Sequence, residues 1–118
     1  EILVPHHVEL EPEGARRREA FLFNCSKPEV MQTAVEIAAQ VFRKMDAPIE
    51  VGVYANAFEG ETGEAAANEG LHDTRDDLNG DAYSRYACSW VEAGATIIGG
   101  CCGIGTAHIH RLRRTLLR

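Results

Sequence analysis

Three cysteines stand where apolar runs of the sequence end, and their residue type points to the binding of a soft metal. Cys101 and Cys102 lie in the segment Gly-Gly-Cys-Cys-Gly over 99–103, directly after the apolar run 95–98, and Cys25 follows an earlier apolar run. Paired thiolates at the mouth of a strand are typical zinc ligands, and the glycines let the backbone bend close to an ion. Three thiolates leave one position of a tetrahedral zinc ion open. The sequence therefore predicts a zinc site formed by these three residues.

Cysteine and histidine also have plainer interpretations. Cysteine is among the residue types most often buried, so the pair at 101–102 is also compatible with packing at a crowded turn. Cys88 has apolar neighbours in a helical segment and is predicted to pack in the core. His6 and His7 lie in a loop-like stretch where adjacent side chains point to opposite sides, so we expect solvated histidines. His108 is expected on a helix surface, with its side chain directed away from the strand mouth.

Length and charge restrict the class of protein. The 118 residues correspond to about one domain, and 45% of them are hydrophobic, which is ordinary for a globular chain. The formal net charge is −6, from 12 basic and 18 acidic residues, so no nucleic-acid partner is predicted. No apolar stretch approaches the ~18 residues that a membrane span needs, and no signal peptide is evident. We therefore expect a cytoplasmic protein with reduced thiols and no membrane partner.

A strand, a polar turn and a helix follow one another three times along the chain. Short apolar runs at 20–23, 49–54 and 95–98 are predicted strands, and each precedes a segment of helical period. Strands that alternate with helices in this way predict an α/β fold with a parallel sheet. A further short strand is expected at 2–4. Because three parallel strands alone leave open sheet edges, we expect missing barrel segments or an oligomer to complete the sheet.

Capping residues and periodicity predict where the helices begin and which faces they bury. Ser26 and Glu29 form a predicted capping box for the first helix. The apolar face of this helix is predicted to consist of Val30, Ala34, Ile37, Ala38, Val41, Phe42 and Met45. Asn79 or Asp81 is predicted to cap the second helix, which buries Tyr83, Tyr86, Ala87, Trp90 and Val91. Thr106 is predicted to cap the third, which buries Ile109, Leu112 and Leu116.

The acidic segment over 59–81 has two interpretations. It contains eight acidic residues and a single basic residue, Arg75. A solvated excursion of the chain is the plainer one. Since loops longer than about 15 residues inside compact domains tend to be functional lids or disordered segments, the alternative is a lid whose negative charge would suit a cationic ligand.

Two asparagines accompany the cysteines at the predicted strand ends. Asn24 directly precedes Cys25, and Asn56 follows the second strand. In α/β folds the ligand lies at the carboxyl ends of the strands, so we expect these residues to lie near one another. Each asparagine is expected either to line a substrate pocket or to satisfy backbone groups of a turn.

The same residues resemble the homocysteine S-methyltransferase family. The likeness rests on Phe23-Asn24-Cys25, on Tyr54-Ala55-Asn56, and on the Gly-Gly-Cys-Cys-Gly segment with the following His108-Ile109. It covers about residues 20–112 and implies the C-terminal part, about three βα units, of a zinc-containing TIM-type (βα)8 barrel that is incomplete in this chain. The domain is then 20–118, after an irregular N-terminal segment over 1–19. The family usually has proline where this chain has Ala55, and often Thr-Thr-Pro-Glu where it has 104–107.

The resemblance implies a function and a set of roles. It implies zinc-dependent transfer of a methyl group to the thiol of homocysteine, which forms methionine, as in methionine biosynthesis. Cys25, Cys101 and Cys102 match the family's zinc ligands, and Asn24 and Asn56 are the candidate substrate-binding residues. The methyl donor would be S-methylmethionine, S-adenosylmethionine, betaine or methylcobalamin. The alternative is a catalytically silent fragment or accessory subunit that has a structural zinc or binds a partner through its open sheet edge.

Overall fold

Three parallel strands alternate with three helices in the described part of this protein. The structure is a computed structural model and describes residues 2–3, 19–58 and 75–117. Within these residues the strands are β1 (Ile2–Leu3), β2 (Glu19–Asn24), β3 (Ile49–Ala55) and β4 (Ile97–Gly100), and the helices are α1 (Pro28–Lys44), α2 (Gly80–Ala93) and α3 (Thr106–Leu116). The sheet order is β1-β4-β3-β2. Strands β2, β3 and β4 are parallel, and β1 pairs antiparallel with β4. The predicted α/β fold with repeated βα units is confirmed.

The parallel register brings three strand ends to one edge of the sheet. Asn24 at the end of β2 pairs with Tyr54 of β3, and Ala55 pairs with Gly100 at the end of β4. Strand β4 begins later than predicted because the N–H of Ala95 still bonds to the last turns of α2, at Trp90 O. Both glycines before the cysteine pair therefore belong to the strand, and the cysteines begin the turn after it.

The helices cover the face of the sheet that carries alternate residues of β3. Val51, Val53 and Ala55 are buried on this face. They form one core with residues from all three helices and β4, namely Met31, Val35, Ala38, Tyr83, Ala87, Trp90, Ala95, Ile98 and Leu112. The predicted faces of α2 and α3 are confirmed, since the remaining predicted residues of these helices, Tyr86, Val91, Ile109 and Leu116, pack against this core.

Helix α1 buries a stripe that shares only Ala38 and the half-buried Ala34 and Phe42 with the face that its periodicity predicted. Met31, Val35 and Ala38 are buried. Most of the predicted face is exposed instead, with exposed fractions of 53% for Val30, 58% for Ile37, 44% for Val41 and 67% for Met45. The reason is that α1 is apolar around much of its circumference. The stripe that meets β3 and α2 is buried, and the other stripe lies beside the exposed Phe21 of β2.

The N-terminal caps of α1 and α3 also differ from the prediction. Lys27, not Ser26, is the N-cap of α1, and no side chain bonds to the first turn. The residue before a proline is held in the extended region, so Pro28 makes Lys27 the N-cap, one residue after the predicted cap. Gly105, not Thr106, caps α3. Asn79 caps α2 as predicted, and its Oδ1 accepts the Ala82 N–H at 2.9 Å.

The two edges of the sheet differ within the described residues. Strand β1, at a position where a short strand was predicted, covers the edge of β4. Strand β2 pairs only with β3 in the described part of the chain. None of the described helices is both long and apolar enough to cross a membrane. His6, His7 and most of the predicted acidic lid, residues 59–74, lie outside the described residues.

Candidate metal centre

The sulfur atoms of three cysteines meet at the carboxyl edge of the sheet. The Sγ atoms of Cys25, Cys101 and Cys102 all lie within 4.8 Å of one another. The two adjacent cysteines have their Sγ atoms 3.9 Å apart. All four cysteines of the chain are free thiols, and Cys25 and Cys102 are exposed while Cys101 is half-buried. The cluster is therefore formed by reduced side chains that solvent and small solutes reach.

The end of β3 holds both cysteine turns in place. The N–H of Cys25 donates to Tyr54 O at 3.0 Å, and the N–H of Cys101 donates to Ala55 O at 3.0 Å. Beyond the strand, the N–H of Ala57 donates to Cys102 O at 2.8 Å. The segment over 54–57 thus bonds both to the turn after β2 and to the turn after β4. This central position of β3 explains how cysteines 76 positions apart in sequence are brought together.

Two residues of these turns have left-handed backbone conformations. Cys25 has φ 52°, and Gly103 has φ 77°. A non-glycine residue with positive φ is uncommon and tends to occur where a turn or a functional site requires it. At Cys25 this conformation reverses the chain between β2 and α1. The glycine after the cysteine pair provides the corresponding reversal after β4.

The pKa values of two of these thiols, Cys25 and Cys101, are shifted in opposite directions. The thiol of Cys25 donates a hydrogen bond to Cys101, which lowers the pKa of Cys101 below its usual value. The same hydrogen bond, followed by partial desolvation and by the charges of the other two cysteines, raises the pKa of Cys25 to about 11. Cys101 is therefore the preferred thiolate of the pair, and Cys25 is the thiol that keeps its proton.

The donor set and its dimensions fit a zinc ion. Zinc binds thiolates at about 2.3 Å in a tetrahedral arrangement, which places neighbouring sulfurs about 3.8 Å apart. The separation of 3.9 Å between Cys101 and Cys102 matches this value. The widest spacing allowed by the cluster, 4.8 Å, needs a closure of about 1 Å, which a side-chain rotation provides. Three thiolates are also the ligands that a soft or borderline metal prefers.

Asn56 touches the cysteine turn, whereas Asn24 lies beside it. The Oδ1 atom of Asn56 accepts a hydrogen bond from the N–H of Cys102 at 3.1 Å. Its own N–H donates to Ser26 O at 2.9 Å. Asn24 is exposed at the end of β2, directly before Cys25. Of the two predicted substrate-binding residues, Asn56 thus also satisfies turn backbone, as the plainer interpretation expected.

His108 is fixed outside the sulfur cluster. Its Nδ1 accepts the N–H of Gly105 at 3.2 Å, so the ring proton lies on Nε2, which donates to Leu78 O at 2.7 Å. Both ring nitrogens are thereby engaged in joining α3 to the segment before α2. His108 is half-buried, and its ring meets the ring of Tyr83 edge-on at 5.9 Å. Cys88 is half-buried in α2 and does not belong to the cluster.

Sequence reasoning missed the polar role of Tyr83 at this edge of the sheet. It was predicted only as a core residue of α2, and it is fully buried. Its hydroxyl donates to Gly99 O at 2.8 Å and accepts the N–H of Ala55 at 3.2 Å. A buried tyrosine usually has a hydrogen-bond partner for its hydroxyl, so tyrosine in place of phenylalanine was the available signal.

Fold and site together define an α/β protein with a three-thiol centre at the carboxyl ends of parallel strands. The family model described as Homocysteine S-methyltransferase matches residues 8–116. The chain belongs to this family, which confirms the resemblance that the cysteine and asparagine motifs indicated. No curated protein and no solved structure matches the chain significantly.

Proposed function

We propose that this protein takes part in zinc-dependent transfer of a methyl group to the thiol of homocysteine, with methionine as the product. The observation that carries the proposal is the meeting of three cysteine sulfurs within 4.8 Å at the strand ends of a chain from this family. In the reaction a bond forms between the homocysteine sulfur and the methyl carbon, and the bond between that carbon and the donor atom breaks. The thiol proton of homocysteine leaves before the attack.

Cys25, Cys101 and Cys102 would hold the zinc ion, and a substrate thiol would take the remaining position. Zinc bound by three thiolates lowers the pKa of a thiol at its open position, so that the sulfur is nucleophilic near neutral pH. The free thiol has a pKa of about 8.5 and is mostly protonated under these conditions. An electron-rich set of three thiolates favours this use over the activation of water for hydrolysis.

Asn24 and Asn56 are the candidate residues for orienting the amino acid substrate. The Oδ1 atom of Asn56 is bonded to the turn of Cys102. Its amide Nδ2 carries the hydrogens that could donate to a substrate carboxylate. Asn24 is exposed and directly precedes Cys25 in the chain. Both asparagines thus neighbour the proposed zinc ligands, Asn56 by a hydrogen bond and Asn24 in sequence.

We further propose a fold, a methyl donor and a cellular location for the complete protein. The three βα units are compatible with the C-terminal part of a (βα)8 barrel, and further segments or another copy would then complete the sheet beyond β2. The methyl donor would be a sulfonium, an ammonium or a corrinoid compound, such as S-methylmethionine, S-adenosylmethionine, betaine or methylcobalamin. The reduced thiols suit the cytoplasm. The alternative function is that of an accessory subunit whose zinc is structural.

Zinc-edge X-ray absorption with and without homocysteine tests the proposal directly. We expect three sulfur neighbours at about 2.3 Å in the zinc-loaded protein and a fourth sulfur after homocysteine is added. A structural zinc in a silent accessory subunit gives a shell that homocysteine does not change. That result, together with no methyl transfer from any of the four donors, would favour the alternative.

Cysteine substitutions provide the matched comparison for the metal. Cys101→Ala should abolish stoichiometric zinc binding, because it removes the preferred thiolate of the cluster. Cys88→Ala is the control, since it makes the same chemical change in α2, outside the cluster. We expect about one zinc per chain in the wild type and the control. Equal zinc content in all three proteins would refute the assignment.

A further inference from the structure

Tyr83 occupies an unusual place between two strands of the sheet. It comes from the first turn of α2, and its side chain is fully buried. The hydroxyl lies between the ends of β3 and β4, where it bonds to the N–H of Ala55 at 3.2 Å and to the carbonyl of Gly99 at 2.8 Å. The hydroxyl of Tyr83 thus bonds to both strands at the last step of the parallel ladder.

The groups that Tyr83 binds lead directly to the cysteine pair. The carbonyl of Ala55 accepts the N–H of Cys101 at 3.0 Å, so the N–H of Ala55 bonds to the tyrosine and its C=O bonds to the cysteine. Gly99 lies two residues before Cys101 in the same strand. The N–H of Cys25 bonds to the neighbouring carbonyl in β3, that of Tyr54. A shift of the end of β4 relative to the end of β3 would therefore move the Sγ of Cys101 relative to the Sγ of Cys25.

Two aromatic rings pack against the ring of Tyr83. The ring of Trp90 meets it edge-on at 5.4 Å, and the ring of His108 does so at 5.9 Å. Burial raises the pKa of Tyr83 and outweighs the opposing hydrogen bond from the N–H of Ala55, so its hydroxyl stays protonated and remains a donor. A neutral hydroxyl donates to the carbonyl of Gly99 and accepts from the N–H of Ala55 at the same time.

We infer that Tyr83 is a positioning residue of the metal centre, whose hydroxyl sets the spacing of the β3 and β4 ends so that Cys101 meets Cys25 around one ion. The inference rests on the proposed zinc site and goes beyond it, because Tyr83 acts on the ligands through the backbone and does not touch the ion or the substrate.

Cobalt(II) titration of three proteins tests the inference with Co²⁺ alone as the probe. Tyr83→Phe removes only the hydroxyl. Tyr86→Phe is the matched control, because Tyr86 lies on the same helix as Tyr83 and its hydroxyl bonds to the exposed Glu29 of α1. We expect Tyr83→Phe to bind Co²⁺ about tenfold more weakly, with altered thiolate charge-transfer and d–d bands, since disturbing the support of metal ligands typically costs 10–100-fold in affinity. Tyr86→Phe should match the wild type in both measurements.

The readouts separate positioning from mere stability. Chemical unfolding of the metal-free proteins measures any loss of stability, and the titrations are carried out where each protein is folded. Should metal-free Tyr83→Phe not fold, its folding on addition of Co²⁺, followed by circular dichroism, gives the affinity instead. Unchanged affinity and spectrum in Tyr83→Phe would overturn the inference.

The result for Tyr83 can be distinguished from the result for the proposed methyl transfer. A wild-type protein that binds Co²⁺ through thiolates but neither admits homocysteine nor transfers a methyl group would refute the methyl transfer and leave the role of Tyr83 standing. A wild-type protein without affinity for Co²⁺ would overturn both.

Discussion

The Oδ1 atom of Asn56 accepts a hydrogen bond from the backbone N–H of Cys102 over 3.1 Å. A side chain at the end of β3 therefore orients the second cysteine of the pair, while the adjacent Ala57 binds the carbonyl of the same residue. Both polar backbone groups of Cys102 are thus fixed by one neighbouring segment. Asn56 therefore supports the cysteine cluster of the proposed metal centre, whether or not it also binds substrate.

Substitutions of Asn56 separate its support of Cys102 from its proposed binding of substrate. Asn56→Ala should weaken zinc binding about tenfold, because the turn of Cys102 loses its anchor. Asn56→Asp keeps an oxygen that accepts the N–H, so zinc affinity should be retained, whereas loss of the amide donor should raise the KM for homocysteine. Competition with a chromophoric chelator measures the affinity. Equal zinc affinity in Asn56→Ala and the wild type would show that the hydrogen bond does not support the site.

The meeting of the cysteines followed from the sequence, but their support did not. Short apolar runs and helical periods predicted parallel strands, and the carboxyl ends of such strands lie at one edge. Residue types then predicted which side chains would meet there. The contact of Asn56 with Cys102 depends on the path of the chain directly after β3. The position of the Tyr83 hydroxyl depends on the rotation of α2 about its own axis. Periodicity fixes neither of these.

Helix α1 shows a second limit of periodicity. Two apolar stripes of comparable quality run along this helix, and the pattern alone did not indicate which of them meets the sheet. The cap of the helix could have been predicted, since Pro28 restricts Lys27 to the extended region and makes it the natural boundary. The preference for a serine cap outweighed this steric rule in the prediction and gave the wrong residue.

Two alanine substitutions on α1 test which stripe is buried. Val35 is fully buried, whereas Ile37, two positions later, is 58% exposed. Val35→Ala should lower the free energy of unfolding by about 2 kcal/mol, because the lost methyl groups leave a cavity. Ile37→Ala should change it by no more than about 0.5 kcal/mol, since the site is exposed and alanine favours helix. Urea unfolding of both variants checks the order, and the reverse order would restore the originally predicted face.

Two serine substitutions test the left-handed turn after the cysteine pair. Gly103 has φ 77°, and a Cβ there would lie 3.1 Å from the ring of Phe58. Gly103→Ser should therefore cost roughly 1–2 kcal/mol of unfolding free energy, because the left-handed region is unfavourable for side chains. At Gly105, a Cβ would meet nothing within 4 Å. Gly105→Ser should be neutral or stabilising, because serine is a favourable N-cap. Equal losses at both positions would show that backbone conformation does not limit this turn.

Arg75 joins the start of α1 to the segment before α2 through two carboxylates. It lies 2.6 Å from Glu29 and 2.6 Å from Asp77. Burial acts to raise the pKa of Glu29, but its own backbone N–H and the guanidinium of Arg75 outweigh burial and hold this pKa below its usual value. The hydrogen bond from Arg75, opposed by slight desolvation, likewise lowers the pKa of Asp77.

These lowered pKa values determine how the stability conferred by Arg75 depends on pH. A carboxyl group with a depressed folded-state pKa contributes fully above its unfolded pKa, about 4.3 for Glu29, and loses the contribution as the pH falls through the folded value. Because the ion pair with Glu29 is partly exposed, Arg75→Gln should cost only about 0.5–1 kcal/mol above pH 5, and the difference from wild type should vanish toward pH 3. Arg43→Gln is the control, since Arg43 bonds to the carbonyl of Ala39, which does not titrate. Urea unfolding across this range would contradict the ion-pair role if the Arg75→Gln deficit persisted at low pH.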